Sequence, residues 1–221
     1  MEKAGIPTAV ETEPAASTKR IRLTADVRRK QILDAALGEF SAVGFEGATV
    51  DNIARRVGLK KAGLYAHFKS KSAIFDELLA TTIFSSDSPQ HWQWVEGSSL
   101  EETVDRYLDA LYTSLSDSRT QAIFRLLISE SGRSPDKVRQ WHAQMLLPHA
   151  LRRQSELDEV VTKSSLPESA LTRNFALASA PALLALVTLL LVGEEVGAES
   201  IAEIRCGHRE MLLALLGRAS V

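Results

Sequence analysis

The strongest constraint on the fold lies in residues 50–75, VDNIARRVGLKKAGLYAHFKSKSAIF, where two short apolar patterns flank a glycine. Four residues of the first pattern recur with the spacing of one helix face: Val50, Ile53, Ala54 and Val57. Gly58 follows after two turns, and glycine tolerates the positive φ of a tight turn. A second short helix is predicted from about Lys60 to His67. Two short helices joined at a glycine form a helix-turn-helix unit.

Capping residues predict where the neighbouring helices begin and end. Thr24 fits the N-cap of a first helix, and Gly44 fits its left-handed C-terminal cap. Thr49 is the predicted N-cap of the second helix, and Ser70 is that of a fourth helix over 71–84. With the helix-turn-helix unit, these elements form an N-terminal module of short helices.

The remainder of the chain has no alternating strand pattern of useful length, so the sequence predicts an all-α fold. The predicted helices cover 104–115, 122–131, 136–162, 171–192 and 201–216. Pro148 is expected to kink the third of these helices, because proline removes one backbone hydrogen bond. Gly193 and Gly197 separate the last two. The predicted divisions are a disordered, basic-ended arm over 1–23, a helix-turn-helix domain over 24–70 and a helical domain over 71–221.

The net charge of −2 conceals a strong division along the chain. Residues 19–71 hold twelve Lys and Arg against five Asp and Glu, whereas residues 72–221 hold thirteen against twenty. A short basic module joined to a long acidic one indicates that only the first meets a polyanion.

DNA binding by the basic module follows from the geometry of a helix-turn-helix, whose second helix lies in the major groove. Lys60 and Lys61 would then reach phosphates or guanine acceptors. Gly63 lacks a β-carbon and lets the helix backbone lie close to the duplex. The alternative is a helical hairpin that packs a core and leaves a solvated basic face; the charge division favours DNA.

Residues 27–75 resemble the DNA-binding domain of the tetracycline-repressor (TetR/AcrR) family of transcriptional regulators. The matching residues, in order, are Phe40, Gly44-Phe45, Thr49, Ile53-Ala54, Leu64-Tyr65, Phe68 and Lys71. Ala62-Gly63 replaces the more usual Gly followed by Thr or Ser. Base readout is therefore expected to rest on Lys60, Lys61 and the shape of the DNA site.

The resemblance implies a homodimeric regulator that binds a double-stranded DNA operator. We expect a cytoplasmic repressor, and the sequence leaves open whether the outcome is repression or activation. The DNA-binding residues carried over to this sequence are Arg28, Thr49, Lys60, Lys61, Ala62, Gly63, Tyr65, His67 and Lys71. The family also implies a pocket in the middle helices, where a small effector binds and releases the DNA. The alternative function is that of a dimeric helical interaction protein that binds DNA without a ligand response.

Candidates for the pocket and the dimer interface come from the helical domain. Large or polar residues in apolar helices are the pocket candidates: Tyr107, Tyr112, Phe124, Trp141, His142, Met145, Asn174, Phe175 and Thr188. Ordinary core packing is the alternative for each of them. The interface candidates are Leu183, Leu186, Leu190, Leu212 and Leu216, joined by Leu184 and Leu213, and the sequence leaves open which of these are core.

Residues 175–192, FALASAPALLALVTLLLV, contain no charge and approach the length that spans a membrane. Pro181 lies inside this segment, and an acidic amphipathic helix follows it. A helix that is apolar all round is otherwise buried on all sides. We therefore expect a buried helix that faces its own core and a partner chain, and no membrane partner.

Enzymatic and metal-binding functions find little support in the sequence. His142 and His149 could share a helix face, but no third ligand follows at metal spacing. Cys206 and His208 have a spacing that suits no zinc pair, and the motifs of phosphate loops, nucleophile elbows and zinc proteases are missing from the sequence. The single cysteine cannot form an internal disulfide, which fits a reducing cytoplasm. We expect no catalysis and no cofactor.

Overall fold

The computed structural model describes residues 24–83, 97–164 and 168–217, and these residues form helices and connecting turns without a strand. The helices are α1 (Ala25–Gly47), α2 (Val50–Arg56), α3 (Lys61–Tyr65), α4 (Lys71–Ile83), α5 (Leu100–Ser116), α6 (Ser118–Arg133), α7 (Pro135–Trp141), α8 (Leu147–Ser164), α9 (Ala170–Arg173) and α10 (Ala180–Leu216). A π-helical turn, His142–Leu146, joins α7 to α8, and a 3₁₀ segment, Phe175–Ser179, precedes α10. The all-α prediction is confirmed. The predicted arm over 1–23 and most of the loop over 85–99 lie outside the described residues.

The N-terminal helices begin and end at the residues that capping chemistry predicts. Thr24 accepts a hydrogen bond from the Val27 amide, and Thr49 accepts one of 3.2 Å from the Asn52 amide. Gly58 adopts a φ of 66° immediately after α2, as the turn requires. Gly44 has a φ of 76° and a ψ of 172°, so α1 breaks there three residues before its last residue.

A first hydrophobic core unites α1 to α4 with part of the helical body. Phe40, Phe45 and Phe75 pack edge-on or tilted at its centre, with ring centroids 5.0–5.8 Å apart. Ile123 and Leu126 of α6 and Trp141 of α7 are buried in the same core. The body therefore completes the core on which the short helices α2 and α3 rest.

A second core lies between α5 and α10, with contributions from α9 and the 3₁₀ segment. Two ion pairs, Arg205–Asp109 and Arg209–Asp105, join the same two helices at its edge. The α5 helix begins at Ser99 with a complete capping box, in which Glu102 accepts the Ser99 amide at 2.9 Å. These contacts fix α5 and α10 as one rigid layer.

The α10 helix turns back on itself at Gly193, which has a φ of 81° and a ψ of 172°. The two arms run antiparallel, because the Ala178 carbonyl lies 2.7 Å from His208 Nε2, while a β-carbon on Gly197 would lie 3.2 Å from Thr188. The second arm starts directly after Gly193, so its predicted start at residue 201 was seven residues late. Gly197 lies within that helical arm.

The predicted helix over 136–162 is interrupted where proline demands it. The chain passes through the π-helical turn His142–Leu146 before α8 begins, with Pro148 as the second residue of α8. A proline ring collides with the carbonyl four residues before it, and widening the preceding turn relieves this contact. The expected kink therefore takes the form of a π turn.

Candidate nucleic-acid interface

The α2–α3 unit presents one polar surface and one buried surface. Ile53, Ala54 and Leu64 are buried and lock the two helices against α1. Along the other side of α3 the side chains of Lys60, Lys61, Ala62 and Tyr65 are exposed, with 45% of Tyr65 accessible. The exposed residues at the start of α3 are those that a helix-turn-helix brings to base edges. We call Lys60, Lys61, Ala62, Gly63 and Tyr65 the α3 surface.

Among the described residues, no neighbour of Gly63 requires glycine. Within these ranges a β-carbon placed there would meet Leu59, at 3.5 Å and 3.8 Å, which is ordinary van der Waals contact. Gly63 also lies inside a helix and lacks the positive φ that Gly58 has. Intramolecular packing therefore leaves the glycine unexplained, and close approach of an external surface stays the prediction for it.

Lys61 has an acidic neighbour on the same surface. Its ammonium lies 3.3 Å from Asp51 Oδ2 in α2, and both side chains are 54% exposed. An exposed pair of this kind contributes little to stability and is easily exchanged for a stronger anion. The Lys61 ammonium is therefore available to a phosphate or a base.

Lys71 is bound to the backbone where α1 leads into α2. Its ammonium donates to the carbonyls of Phe45 at 2.6 Å, Glu46 at 3.2 Å and Ala48 at 3.0 Å, and it lies 4.5 Å from the centre of the Phe45 ring. These bonds use all three donors of the ammonium. Contact of Lys71 with DNA stays a prediction, and the structure gives this side chain a positioning role.

The other predicted basic residues near this surface have internal partners as well. Arg28 donates to the Val57 carbonyl at 3.3 Å, in the turn between α2 and α3. The next residue, Arg29, donates to the His67 carbonyl at 2.5 Å, pairs with Glu77 and lies over the Phe68 ring. His67 itself is half-buried. Two consecutive arginines of α1 therefore fix both ends of α3.

Glu39 is a functional residue that the sequence reasoning missed. It is 4% exposed on α1, where it accepts hydrogen bonds from Asn52 at 2.8 Å and from Arg56 at 3.0 Å. Both donors lie on α2, so one buried carboxylate sets the position of α2 against α1. The sequence did contain a signal for this role, because Glu39 is an acidic residue within the apolar face of α1, one residue before Phe40.

The nine pocket candidates do not converge on one site. Tyr107, Tyr112, Phe124 and Phe175 belong to the second core, whereas Trp141 and Met145 belong to the first. His142 and Asn174 are exposed, and Thr188 bonds the Leu184 carbonyl of its own helix. The nine residues are thus distributed over two cores and the surface, and their role in an effector pocket stays a prediction. The four aromatic residues of the second core remain together.

A buried polar cluster joins three elements inside the second core. His208, 1% exposed, has Nε2 2.7 Å from the Ala178 carbonyl and Nδ1 3.3 Å from the Tyr112 hydroxyl. Because a carbonyl only accepts, Nε2 carries the proton and Nδ1 accepts from the tyrosine. Burial lowers the pKa of His208 and raises the pKa of Tyr112 to about 12. The Tyr107 hydroxyl also donates to the Ala178 carbonyl at 3.4 Å.

The interface candidates divide between core and surface. Leu186, Leu212 and Leu216 are buried in the second core, at 2%, 0% and 6% exposure, which favours the core alternative that the sequence left open; their assignment to an interface stays a prediction. Leu190 is partly buried against the same core, whereas Leu183 is exposed. An exposed apolar stripe instead follows the outer side of α10 and its bend: Leu183, Leu184, Val187, Leu191, Val192 and Val196.

Two further kinds of feature bear on the function, a membrane span and a metal centre. By length and composition alone, Phe175–Leu216 could cross a membrane, a test that core helices of soluble proteins also pass. Groups of three or more possible metal ligands do not occur within the described ranges. A cavity of about 340 Å³ lies between α1, α4 and α6, and Arg29, Glu77 and Arg119 line it; none of the nine pocket candidates does.

Comparison with known proteins places the α2–α3 unit in a defined family. Residues 32–78 match the family model of bacterial regulatory proteins, tetR family. IcaR of Staphylococcus aureus, a negative transcriptional regulator of the biofilm operon icaADBC, is 45% identical over 49 residues, which are 22% of this chain and 26% of IcaR. SrpR of Pseudomonas putida, a transcriptional regulator, is 30% identical over 112 residues, which are 49% of this chain and 51% of SrpR. The chain thus spans about a quarter of the length of IcaR and about half of the length of SrpR.

The architecture of the described helices also has solved counterparts. A TetR family transcriptional regulator from Pseudomonas syringae superimposes with a TM-score of 0.62 at 21% identity, covering 86% of this chain and 97% of that one. At this identity the likeness establishes the fold alone. It extends the similarity from the N-terminal module to the helical body.

Proposed function

The chain belongs to the TetR family of transcriptional regulators, and from this premise we propose that it is a cytoplasmic, homodimeric repressor whose double-stranded DNA operator is released by a small-molecule effector. The observation that carries DNA binding is the α3 surface. Lys60, Lys61 and Tyr65 are exposed there, while three buried apolar residues and the Glu39 carboxylate hold α2 and α3 in place. A basic, rigid and exposed recognition helix is what major-groove binding requires.

A homodimer is supported by the exposed apolar stripe on α10. Leu191 and Val196 are 77% and 74% exposed, and they are the most exposed members of the stripe. A contiguous apolar surface of this kind marks an interaction site. A second copy of the chain covering the stripe would bring two copies of the α3 surface into one assembly, and an operator with two half-sites requires two recognition helices.

An effector site is supported by the second core. Tyr107, Tyr112, Phe124 and Phe175 supply aromatic surface, and the two tyrosine hydroxyls with His208 supply convergent polar groups. Apolar walls with a few placed polar atoms are the composition of small-molecule sites. A ligand there would contact α5 and both arms of α10, and would therefore couple the site to the dimer.

The test of operator binding is fluorescence anisotropy on duplexes from the upstream region of the protein's own gene, with a scrambled duplex as the control. We expect tight, selective binding that survives a rise in salt. Binding that is equally weak on every duplex and vanishes with salt would contradict sequence-specific recognition. The denatured protein is also examined for a released small molecule, since a bound effector would suppress operator affinity.

The effector is tested on the operator found in this way. Compounds are screened for release of the labelled duplex, and the Tyr107→Phe and Tyr112→Phe variants are compared with the wild type. Under the proposal at least one variant keeps operator affinity but needs more compound for release. A dimer that binds the operator while no compound releases it would favour the interaction protein without a ligand response.

A further inference from the structure

The junction between the helical body and the DNA-binding module contains an unusual buried acid. Glu130 of α6 is 0% exposed, and neither of its carboxyl oxygens has a hydrogen-bond partner in the described part of the chain. A buried carboxyl group without partners destabilises the arrangement that buries it, whichever protonation state it adopts. Such a group in a folded protein calls for an explanation.

The acid lies against the glycine that ends the regular part of α1. A β-carbon on Gly44 would stand 2.9 Å from Glu130 Oε1 and 3.4 Å from Arg133 Nη1. The glycine backbone therefore faces both charged groups at once. Glu130 and Arg133 are three residues apart on α6, a spacing at which opposite charges pair. No ion pair joins these two residues in the described structure, although nothing in their spacing prevents it.

Gly44 is connected to the DNA-binding helices within a few residues. Its carbonyl accepts the Ala48 amide at 3.1 Å, and Ala48 precedes the α2 cap, Thr49. The carbonyls that bind Lys71 belong to the same turn. A displacement of Gly44 against α6 would therefore move the start of α2 and its cap.

We propose that Gly44, Glu130 and Arg133 form a two-state junction that regulates operator binding. In the docked state, the one described above, Gly44 lies against both side chains, Glu130 is unpaired and the turn into α2 is fixed for DNA. In the released state, the turn at Gly44 withdraws and Glu130 pairs with Arg133 on α6. The unpaired acid keeps the two states close in free energy, so that a ligand in the body can shift them. This inference rests on the proposed function.

Two substitutions test the junction from opposite sides. Glu130→Leu removes the unpaired acid and should raise the melting temperature by about 3 °C or more while tightening operator binding about fivefold. Arg133→Gln removes the partner of the released state and should tighten binding in the same direction. Added to Glu130→Leu, Arg133→Gln should change the affinity by less than twofold, because the pair is already abolished. Arg139→Gln, which removes an equal charge from an exposed side chain of α7, should leave the affinity unchanged.

Several results would overturn the proposal. A lower melting temperature for Glu130→Leu would mean that the acid stabilises the docked state. The pairing of Glu130 with Arg133 would be contradicted if both single variants bound the operator within twofold of the wild-type affinity. Additive effects in the double variant would contradict it as well. If Glu130→Leu does not fold, Glu130→Gln and the exposed Arg133→Gln decide the question by the same criteria.

Amide hydrogen exchange separates this inference from the proposed function. Exchange at residues 44–49 reports opening of the junction without any DNA, and it should slow in both single variants relative to Arg139→Gln. If exchange slowed in both single variants but the protein bound no duplex, the two-state junction would be supported and operator binding contradicted. Unchanged exchange in a protein that binds its operator would overturn the junction alone.

Discussion

At the scale of single residues, the two lysines that begin α3 and α4 have different tasks. Lys61 is exposed beside Asp51, whereas Lys71 bonds three carbonyls at the end of α1. One is available for DNA and the other fixes the backbone from which α2 starts. Sequence spacing alone could not separate them, because both are basic residues of the same short module.

Lys71→Ala should lower both stability and operator affinity. Three carbonyls lose a charged donor, and losses of this kind cost about 1–3 kcal/mol in the free energy of unfolding. Chemical denaturation and anisotropy measure the two effects. Lys61→Ala is the matched control: its free energy of unfolding should stay within about 0.5 kcal/mol of wild type while its affinity falls. Equal loss of stability in both variants would contradict the assignment.

His208 makes the stability of the body depend on pH. Burial lowers its pKa below the ordinary 6.5, so the unfolded chain binds a proton more readily than the folded one. The stabilisation by neutral His208 is complete above pH 6.5 and is lost as the pH falls from there toward the lowered pKa. Melting temperatures between pH 7.5 and 5 should therefore fall more steeply for wild type than for His208→Gln. If the melting temperatures of wild type and His208→Gln fell in parallel with pH, His208 would not be the source of the pH dependence.

At the scale of elements, capping residues and glycines predicted the helix boundaries because they act locally. Thr24, Thr49 and Gly58 needed only their immediate neighbours to fix a cap or a turn. The leucines of α10 could not be sorted in the same way, since a helix that is apolar on every side carries no signal for which side meets the core. Leu186 is buried in the core that α10 forms with α5, whereas Leu183 on the same arm is exposed.

The exposed stripe on α10 predicts how the proposed dimer can be separated. Leu191→Glu places a charge in the middle of the proposed interface and should give monomers, because an unpaired charge cannot be buried there without a large cost. Sedimentation in detergent-free buffer measures the change. Leu151→Glu, at a residue of α8 that is 62% exposed and lies outside the stripe, is the control and should remain dimeric. A wild-type protein that needs detergent to stay in solution would instead favour a membrane for the stripe.

At the scale of the whole molecule, the two predicted domains share one hydrophobic core, which the sequence does not indicate. The core under the DNA-binding helices includes Ile123, Leu126 and Trp141, which lie more than fifty residues downstream. Lys137, also buried, reaches Asp76 of α4 at 2.7 Å. The domain boundary at residue 70 stays a prediction. The α6 and α7 helices of the predicted helical domain also pack in the core of the predicted helix-turn-helix domain, and no local pattern in the sequence could have revealed this.

A substitution in the body should therefore loosen the DNA-binding module. Ile123→Ala removes a fully buried side chain of the first core, and such truncations cost about 2–5 kcal/mol. Hydrogen exchange of the α2 and α3 amides should accelerate although the substituted residue lies on α6. Ile128→Ala, on the same helix but 62% exposed, should leave these rates unchanged. If neither variant altered them, the module would be independent of the body.

The bend at Gly193 decides the dimensions of the protein. Thirty-seven helical residues in a straight line would form a rod of about 55 Å, longer than a small domain is wide. Because of the bend, the two arms lie side by side and antiparallel, in a fixed register. One residue inserted beside the glycine would rotate an arm by about 100° and turn its apolar outer side away. The register of the two arms, and with it the position of the apolar outer side, therefore depends on the chain length at the bend.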